Sequence, residues 1–495
     1  MSKIELKFQI PNAQKAAVLS RFQTKNIQQL QRQTQYYDSN EFELFQHQLS
    51  LTQQLKGQNW IQRLKIPALH QSKHSKLNLE LEQQDCSVLN LQSYIDHPQL
   101  DQKIKKLLNT LQHHLTLQFE SHIERWISIV HFQNSKIRVD LDQGTIVYQD
   151  RTQTIFQLKF QLQSGTIQDF ISFILPYIKR YQLYLDTQTK AQKGYLLAKG
   201  VTEYPAQNQS ALILNPHDSK IAALKKIILN CLAHLLPNTT AIASGQFNSQ
   251  HVHQARVAIR RLRSALITFG DWSNDINPSW AEQLTQLFRQ LGTTRDLDVI
   301  RQELLPQLRK VAVPELKLDE LKLPESSSDN GRILLQLFQS SAFTNLILAL
   351  FEFVHQATSK TAKKSIQKSA VKKISKFHRQ IQTDAVHFLE LDIAARHRTR
   401  KRLKKLRYSI DFIGSLYAQK QVTHYLKTLK PAQDALGQYN DLIVAEVIFQ
   451  QLSKTDPQVS WFALGWIAAQ QQHLLKQSAH HLQVFTQAPP FWTTA

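Results

Sequence analysis

HQARVAIRRLRSAL at His253–Leu266 and HRTRKRLKKLRYSI at His397–Ile410 share one spacing. Each begins with His and has a base three residues later (Arg256, Arg400) and two bases at seven and eight (Arg260 and Arg261; Lys404 and Lys405). Leu follows at nine and Arg at ten (Arg263, Arg407). A second matched pair, LGTTRDLDV at Leu291–Val299 and LGQYNDLIV at Leu436–Val444, follows 38 and 39 residues after the respective histidines. Two elements recurring in order predict two related helical hairpins or bundles in tandem.

At about 100° per residue, the His and the bases three, seven and ten later fall within one helical face roughly 80° wide. Ile259, Leu262 and Leu266 lie on another side and are expected to be buried. A solvated charged face is the ordinary fate of such bases. Two features argue for more: neither stripe contains a carboxylate, and a titrating His recurs at the same place. Facing two such stripes is costly unless an anion lies between them. Arg offers phosphate a two-pronged fork and Lys a compact charge. Among cations, His253 and His397 are biased toward the neutral form until an anion arrives. The alternative for each is a core histidine bonded to backbone. Asp296 and Asp441 of the second element, with Asp298 in the first copy only, either orient the stripe arginines or serve as caps and ordinary salt bridges. Their glycines suggest a turn or a close helix contact. A third basic stretch, carrying Lys364, Lys368, Lys372, Lys376 and Arg379, has no repeat partner, and a solvated face suits it equally well.

Outward from the repeats, helical periodicity holds from residue 217 to about 485, whereas residues 1–200 alternate with period two. KIELKFQI, LSLTQQL, WIQRLKI, KLNLELE, WISIVHF, KIRVDLD and IFQLKFQLQ read as strands, with helices at Asn12–Asn26, Ile104–His114 and Ile167–Tyr181. The fold expected is an α+β antiparallel tunnel or barrel, a linker over 201–216 and an all-α bundle with an internal pseudo-twofold repeat. The 495 residues carry a formal charge of +22, of which +7 lies before residue 206 and +15 after it. Such a surplus favours a polyanion. Cys86 and Cys231 are far apart, which excludes a disulfide framework or a four-cysteine zinc site. The start lacks the apolar run of a secretory signal, and no apolar stretch approaches the roughly 18 residues of a membrane span. A cytoplasmic location is expected. Adjacent histidines at His113–His114 and His480–His481 point to different helix sides, so no metal site is assigned.

The paired His-and-base helices with their LGxx(R/N)D elements resemble a CHAD domain over about 217–485. That resemblance implies a helical bundle whose central basic channel binds inorganic polyphosphate without catalysis. Its ligand residues here are His253, Arg256, Arg260, Arg261, Arg263, His397, Arg400, Lys401, Lys404, Lys405 and Arg407. Val257 stands where the second copy has Lys401, so the halves are unequally charged. The first 200 residues resemble a CYTH domain, an eight-stranded tunnel around triphosphate and a divalent metal. The landmarks are IELKF, YYDS at Tyr36–Ser39, WIQRLK ending at Lys65, Arg125–Trp126, LDQG at Leu141–Gly144 and TKAQKGY at Thr189–Tyr195. This chain departs from the family pattern at several places. Lys3 replaces the first of two leading glutamates, Ser50 and Thr52 occupy the positions of two phosphate-holding arginines, and Gln157, Lys159 and Gln161 stand where glutamates should face the metal. A hard divalent cation needs oxygen anions, so the tunnel is expected to be degenerate. What remains is an anion site made of Lys3, Glu5, Lys7, Lys65, Arg125, Lys159, Lys190 and Lys193, with Asp142 beside them.

The expected function is polyphosphate binding by the helical half, with no catalytic residue and an inactive tunnel. One alternative is a metal-dependent inorganic triphosphatase in which Glu80, Glu82 or Asp140 supplies missing ligands. Only that alternative needs a cofactor, Mg²⁺ or Mn²⁺. The other alternative, a non-specific nucleic-acid binder, is disfavoured because the stripes hold few aromatics for base stacking. Association with polyphosphate granules is an option that the ligand class leaves open.

Overall fold

The computed structural model describes residues 4–23, 27–56, 59–66, 77–83, 89–291, 297, 299–316, 318, 321, 323, 328–357 and 365–493. Lys3, Cys86, Asp296, Asp298 and Lys364 lie outside them, as does the side chain of Glu82. The chain divides into two compact units, Met1–Pro205 with Gln339–Thr344, and Ala206–Phe338 with Asn345–Ala495.

Among the described residues the first unit is built on one antiparallel sheet of nine strands: β1 (Ile4–Gln9), β2 (Gln28–Asp38), β3 (Ser50–Lys56), β4 (Asn59–Ile66), β5 (Leu77–Gln83), β6 (Thr116–Phe132), β7 (Ser135–Tyr148), β8 (Arg151–Ser164) and the two-residue β9 (Tyr184–Leu185). Their order is β5-β4-β3-β2-β6-β7-β8-β1-β9. All seven strands read from alternation are present. The Gln-rich β2, QQLQRQTQYYD, and the short β9 were not foreseen, which makes nine strands where the family resemblance implies eight. Helices are shorter than the periodicity suggested: Lys15–Phe22 and Gln102–Leu111, with Ile167–Tyr181 as expected.

Pleating gives the sheet two unlike faces. Phe8, Val139, Leu141, Leu158 and Phe160 are buried on one, where the helix Ile167–Tyr181 packs on β7 and β8. The other face aligns Lys7 with Lys159, Lys159 with Asp140, Gln157 with Asp142 and Asp142 with Arg125 across successive strands. Lys65 on β4 is electrostatically coupled to Lys159 on β8 and Glu5 on β1, strands that are not its neighbours in the sheet, so the polar face is concave. The helix Lys190–Lys199, opened by a Thr189 capping box, packs against β6, β7 and β8 on that concave side. Gly194 permits the approach: a Cβ there would lie 1.9 Å from the Phe119 ring.

In the second unit the two basic stretches fold as helices of equal length, Ser249–Phe269 and Ile393–Ile413. Asn248 and Asp392 cap them, and each ends at a Gly that opens a 3-10 turn, Gly270–Trp272 and Gly414–Leu416. Ile259, Leu262 and Leu266 are buried as expected, as are Leu403, Leu406 and Ile410. The two helices pack against each other, and each also packs on a preceding helix, Lys220–Ala243 or Ile366–Val386. The repeat extends into those helices: His234 and His378 stand at the same offset, both buried. The copies then diverge. LGQYNDLIV lies within one long helix, Gln419–Leu452, whereas the first copy passes into a π-helical segment, Ile300–Leu304. Gly437 therefore marks neither a turn nor a close contact, since nothing lies within 4 Å of where its Cβ would be. The long helix packs against Pro457–Gln487, with Phe449, Ala463 and Ile467 in their common core. Among the described residues no single helix is long and apolar enough to cross a membrane.

These two glycines should respond oppositely to alanine. Gly194→Ala overpacks against Phe119 and should lower stability by about 1–3 kcal/mol, while Gly437→Ala should raise it by about 0.5–1 kcal/mol through helix propensity. Calorimetric or urea unfolding of the two variants checks both signs.

Candidate functional site: two basic concavities

Between the paired helices the cations meet. The Lys404 ammonium makes no hydrogen bond or ion pair among the described residues. Burial, followed by Arg260 and Arg400 nearby, pushes its pKa down to about 6, and Arg256 acts in the same direction. Lys401 is lowered by partial burial and then by Arg263, and Lys405 likewise. Bases of the two helices thus lie within electrostatic reach of one another across the helix pair. His397 donates Nδ1–H to Asn440 Oδ1 at 2.8 Å, which leaves Nε2 as its titrating nitrogen. Burial lowers its pKa, and Lys401 and Arg400 add to that against the support of Asn440. Arg256 and Arg260 share the Phe288 ring, 4.8 and 5.5 Å from its centroid, and Arg256 donates to Leu291 O at 2.5 Å. His253 is half-buried on the same helix, within electrostatic reach of His234.

Several expectations need correction. Arg261 is not part of the stripe: it is 2% exposed, donates to Asn230 Oδ1 at 2.8 Å and lies over Phe412. Its angular position already sets it apart, about 80° from His253 on the side away from the other bases. Its counterpart Lys405 does face the cations, so the eighth position has a different role in each copy. The stripes are not wholly without acids either. Asp441 lies 3.9 Å from Arg400 and Asp411 lies 4.0 Å from Arg407, both long for an ion pair. Arg289 and Phe288, on the helix Ser279–Gln290, join the groove unforeseen, with Arg289 lowering the pKa of Arg263 and Lys401 after burial. Of the third basic stretch, Lys368, Lys372, Lys376 and Arg379 are exposed, a solvated face.

The sheet's concave face is arranged differently, with acids set among the bases. Arg125 grips Asp142 through Nε and Nη2, the latter at 2.6 Å, and reaches Asp140 at 3.3 Å. Lys190 meets Asp142 at 2.5 Å, and Gln157 donates to it at 3.2 Å. Although burial opposes ionisation, Lys190 and Arg125 hold the Asp142 carboxyl well below the usual carboxylate range. Lys193 meets Asp186 at 2.8 Å; that acid is held at about 2 despite burial, by Lys7 and then Lys193. Lys7 in turn donates to Gln188 O, and burial brings its own pKa to about 8. Of the eight candidates, the seven that the structure describes are on this face. Sequence reasoning missed Arg32, Arg63 and Arg138. Arg138 bonds Asp140 at 2.7 Å and Arg63 bonds Glu80 at 2.8 Å. They are aligned with inward positions of known strands, so register is the signal that exposes them: Arg63 is opposite Thr52, and Arg138 is opposite Gln161.

A divalent metal fits this face poorly. Glu5, Glu80, Asp140, Asp142 and Asp186 each already hold a lysine or arginine within 4 Å. Among the described residues no group of three or more His, Cys, Asp or Glu is disposed to hold a metal ion.

Residues 1–195 match the CYTH domain family and residues 226–450 the CHAD domain family. An inorganic triphosphatase from Haemophilus influenzae is 40% identical over 86 residues, which cover 17% of this chain and 24% of that protein, so the match spans about a quarter of the relative's length. Among solved structures, the CHAD domain from the plant Ricinus communis is 28% identical, covering 57% of this chain and 97% of its own, with a TM-score of 0.48. PptA from Streptomyces chartreusis is 18% identical, covering 54% and 95%, with a TM-score of 0.39. The ordered pair of family matches coincides with the tunnel-like sheet and the duplicated basic helices: this chain is a CYTH domain followed by a CHAD domain.

Proposed function

We propose that the helical domain binds inorganic polyphosphate along the groove between its two basic helices and that the sheet domain does not turn over triphosphate. The observation that carries the first part is the convergence of Arg256, Arg260 and Arg263 with Lys401, Lys404 and Lys405 across a packed helix pair. A linear polymer of phosphates matches a row of such charges and releases counterions as it enters. The groove's aromatic, Phe288, is taken up by Arg256 and Arg260 rather than offered to a base, which disfavours nucleic acid. For the second part, phosphoryl transfer relies on a metal to neutralise developing charge, and the tunnel's carboxylates are committed to lysine and arginine.

A second reading, metal-dependent triphosphatase, is favoured by the name of the Haemophilus influenzae relative. Phosphate release from tripolyphosphate with Mg²⁺ or Mn²⁺, lost in Lys65→Ala, would establish it; no release above background supports the inactive tunnel.

Long-chain polyphosphate should bind the full chain with an affinity that falls at least about a hundredfold between 50 and 200 mM salt. The fourfold variant Arg260→Ala, Arg263→Ala, Lys404→Ala, Arg407→Ala should lose a similar factor, and RNA or DNA of matched charge should compete poorly. Affinity that is flat with salt, or unchanged in the variant, excludes the groove.

Lys404 makes the groove sensitive to protons. Its folded pKa of about 6 lies below the ordinary lysine value of 10.5, so between those limits the unfolded chain binds more protons and stability rises with pH. The penalty is greatest below pH 6, where the folded state must carry the charge. Thermal unfolding should therefore show stability rising from pH 6 to pH 8, with a smaller slope in Lys404→Met. Polyphosphate reverses the shift, so calorimetry at pH 7.5 in buffers of differing ionisation enthalpy should register proton uptake on binding, reduced in the same variant.

A further inference from the structure

In the sheet domain, β8 lies between β7 and β1, and one side chain of β8 meets an acid from each neighbour. The Lys159 ammonium is 3.2 Å from Asp140 Oδ2 and 3.5 Å from Glu5 Oε2. Beside it Asp142 is saturated by Arg125, Lys190 and Gln157. Three carboxylates on the two strands that flank β8 are the oxygen chemistry that a hard divalent cation seeks. Here that charge is already met from within the chain, and an incoming metal would face the Lys159 ammonium between two of its donors.

Cations remain on this face after those pairings. Arg32 on β2 is half-buried and makes no hydrogen bond or ion pair among the described residues. Burial and then Arg125 bring its pKa down to about 10. Lys65 on β4 is open to solvent and also has no such partner; crowding by the surrounding protein, then Arg63 and Lys159, lowers its pKa. A guanidinium held among other cations without a partner is a standing cost unless an anion joins it. The Lys159 ammonium lies within ion-pair distance of Asp140 and Glu5 without donating a hydrogen bond to either, so its N–H groups can meet a phosphoryl oxygen.

We propose that Lys159 takes the place of a divalent cation, and that the concave face of the sheet binds a short linear oligophosphate, of the size of tripolyphosphate, without metal. The phosphates are met by Arg32, Lys65 and the Lys159 ammonium, while Asp140, Asp142 and Glu5 stay paired and keep the lining basic but not repulsive. This site is separate from the helical groove, and either can fail without the other.

The test uses the full chain carrying the four alanine substitutions of the helical groove, so that only the sheet site reports. Calorimetric titration with tripolyphosphate should give the same Kd in EDTA as in Mg²⁺, to within about threefold. Lys159→Gln should weaken binding in EDTA about tenfold or more, and Lys159→Arg should retain it, because the charge and not the length is what matters. Binding that needs Mg²⁺, no binding in EDTA, or indifference to Lys159→Gln would overturn the proposal. Should the fourfold variant not fold, the unaltered chain still decides, with Mn²⁺ alone as probe followed by electron paramagnetic resonance. Absence of tight Mn²⁺ binding, with a site gained in Lys159→Glu, supports the proposal. A tight Mn²⁺ site in the unaltered chain that is lost in Glu5→Gln refutes it.

Discussion

Two helices that pack on each other, each with buried apolar residues on one side, carry cations on another, and the repulsion between those cations is the constraint that the helical domain has to meet. Ile259, Leu262, Leu403 and Leu406 are buried, and the same fold holds Arg260 within electrostatic reach of Lys404 and Arg263 within that of Lys401. Burial of such side chains stabilises by about 1.5–3 kcal/mol each, enough to impose the approach. The groove lowers its own charge. Lys404 is brought to about 6 by burial and its neighbours, two arginines lie over Phe288, and Asn440 holds His397 in one tautomer. Asp411 and Asp441 are near enough to soften the repulsion and too far to cancel it, at 4.0 and 3.9 Å. A site prepared this way is neither fully charged nor fully neutral before its ligand arrives.

The sheet domain faces the same surplus and resolves it differently because of its periodicity. On a strand every second residue points to one face, so acids and bases can be interleaved across neighbouring strands. Asp140 and Asp142 on β7 sit between Arg125 on β6 and Lys159 on β8, and each buried carboxylate is met from both sides. A helix offers no such interleaving at a packed seam, because the residues that would alternate with the bases are those that make the core. The two domains thus present cations in opposite conditions: paired in the sheet and crowded in the bundle.

How much of this was legible in the sequence follows from the same difference. Strands with one apolar face declared themselves, and so did the helical repeat, because its spacing is set by a seam that must be buried. The strand β2 did not, since QQLQRQTQYYD places polar residues on both faces and leaves no hydropathy contrast to detect. Arg32 was missed with it. Arg63 and Arg138 lay in recognised strands but needed register to show what they face. In the bundle, counting bases in the repeat admitted Arg261 although its angle placed it elsewhere, and the structure buries it against Asn230 and His234. Sequence reports charge without reporting depth.

Arg261 also shows how a duplicated site becomes unequal. In the first copy the eighth-position base turns inward and is enclosed by Phe412, a residue of the second copy, while its counterpart Lys405 turns toward the groove. Val257 and Lys401 repeat the imbalance, and Asp411 answers to Ile267. Two of these changes put charge, of either sign, on the second helix where the first has an apolar residue, and the third keeps the charge but buries it in the first. A buried guanidinium without a carboxylate within ion-pair distance among the described residues is costly, and its hydrogen bonds to Asn230 and His234 offset part of that cost only while His234 stays neutral. Burial and the neighbouring Arg261 see to that by holding His234 near 4, even against the support of Gln254. The first helix is tied through Arg261 to the helix before it, the second through Thr399 and Arg402 to Asp384 of its own, and the second carries the more titratable charge. Pseudo-symmetry of the fold does not extend to the electrostatics, and a polymer lying between the two helices would meet arginines on one wall and mostly lysines on the other.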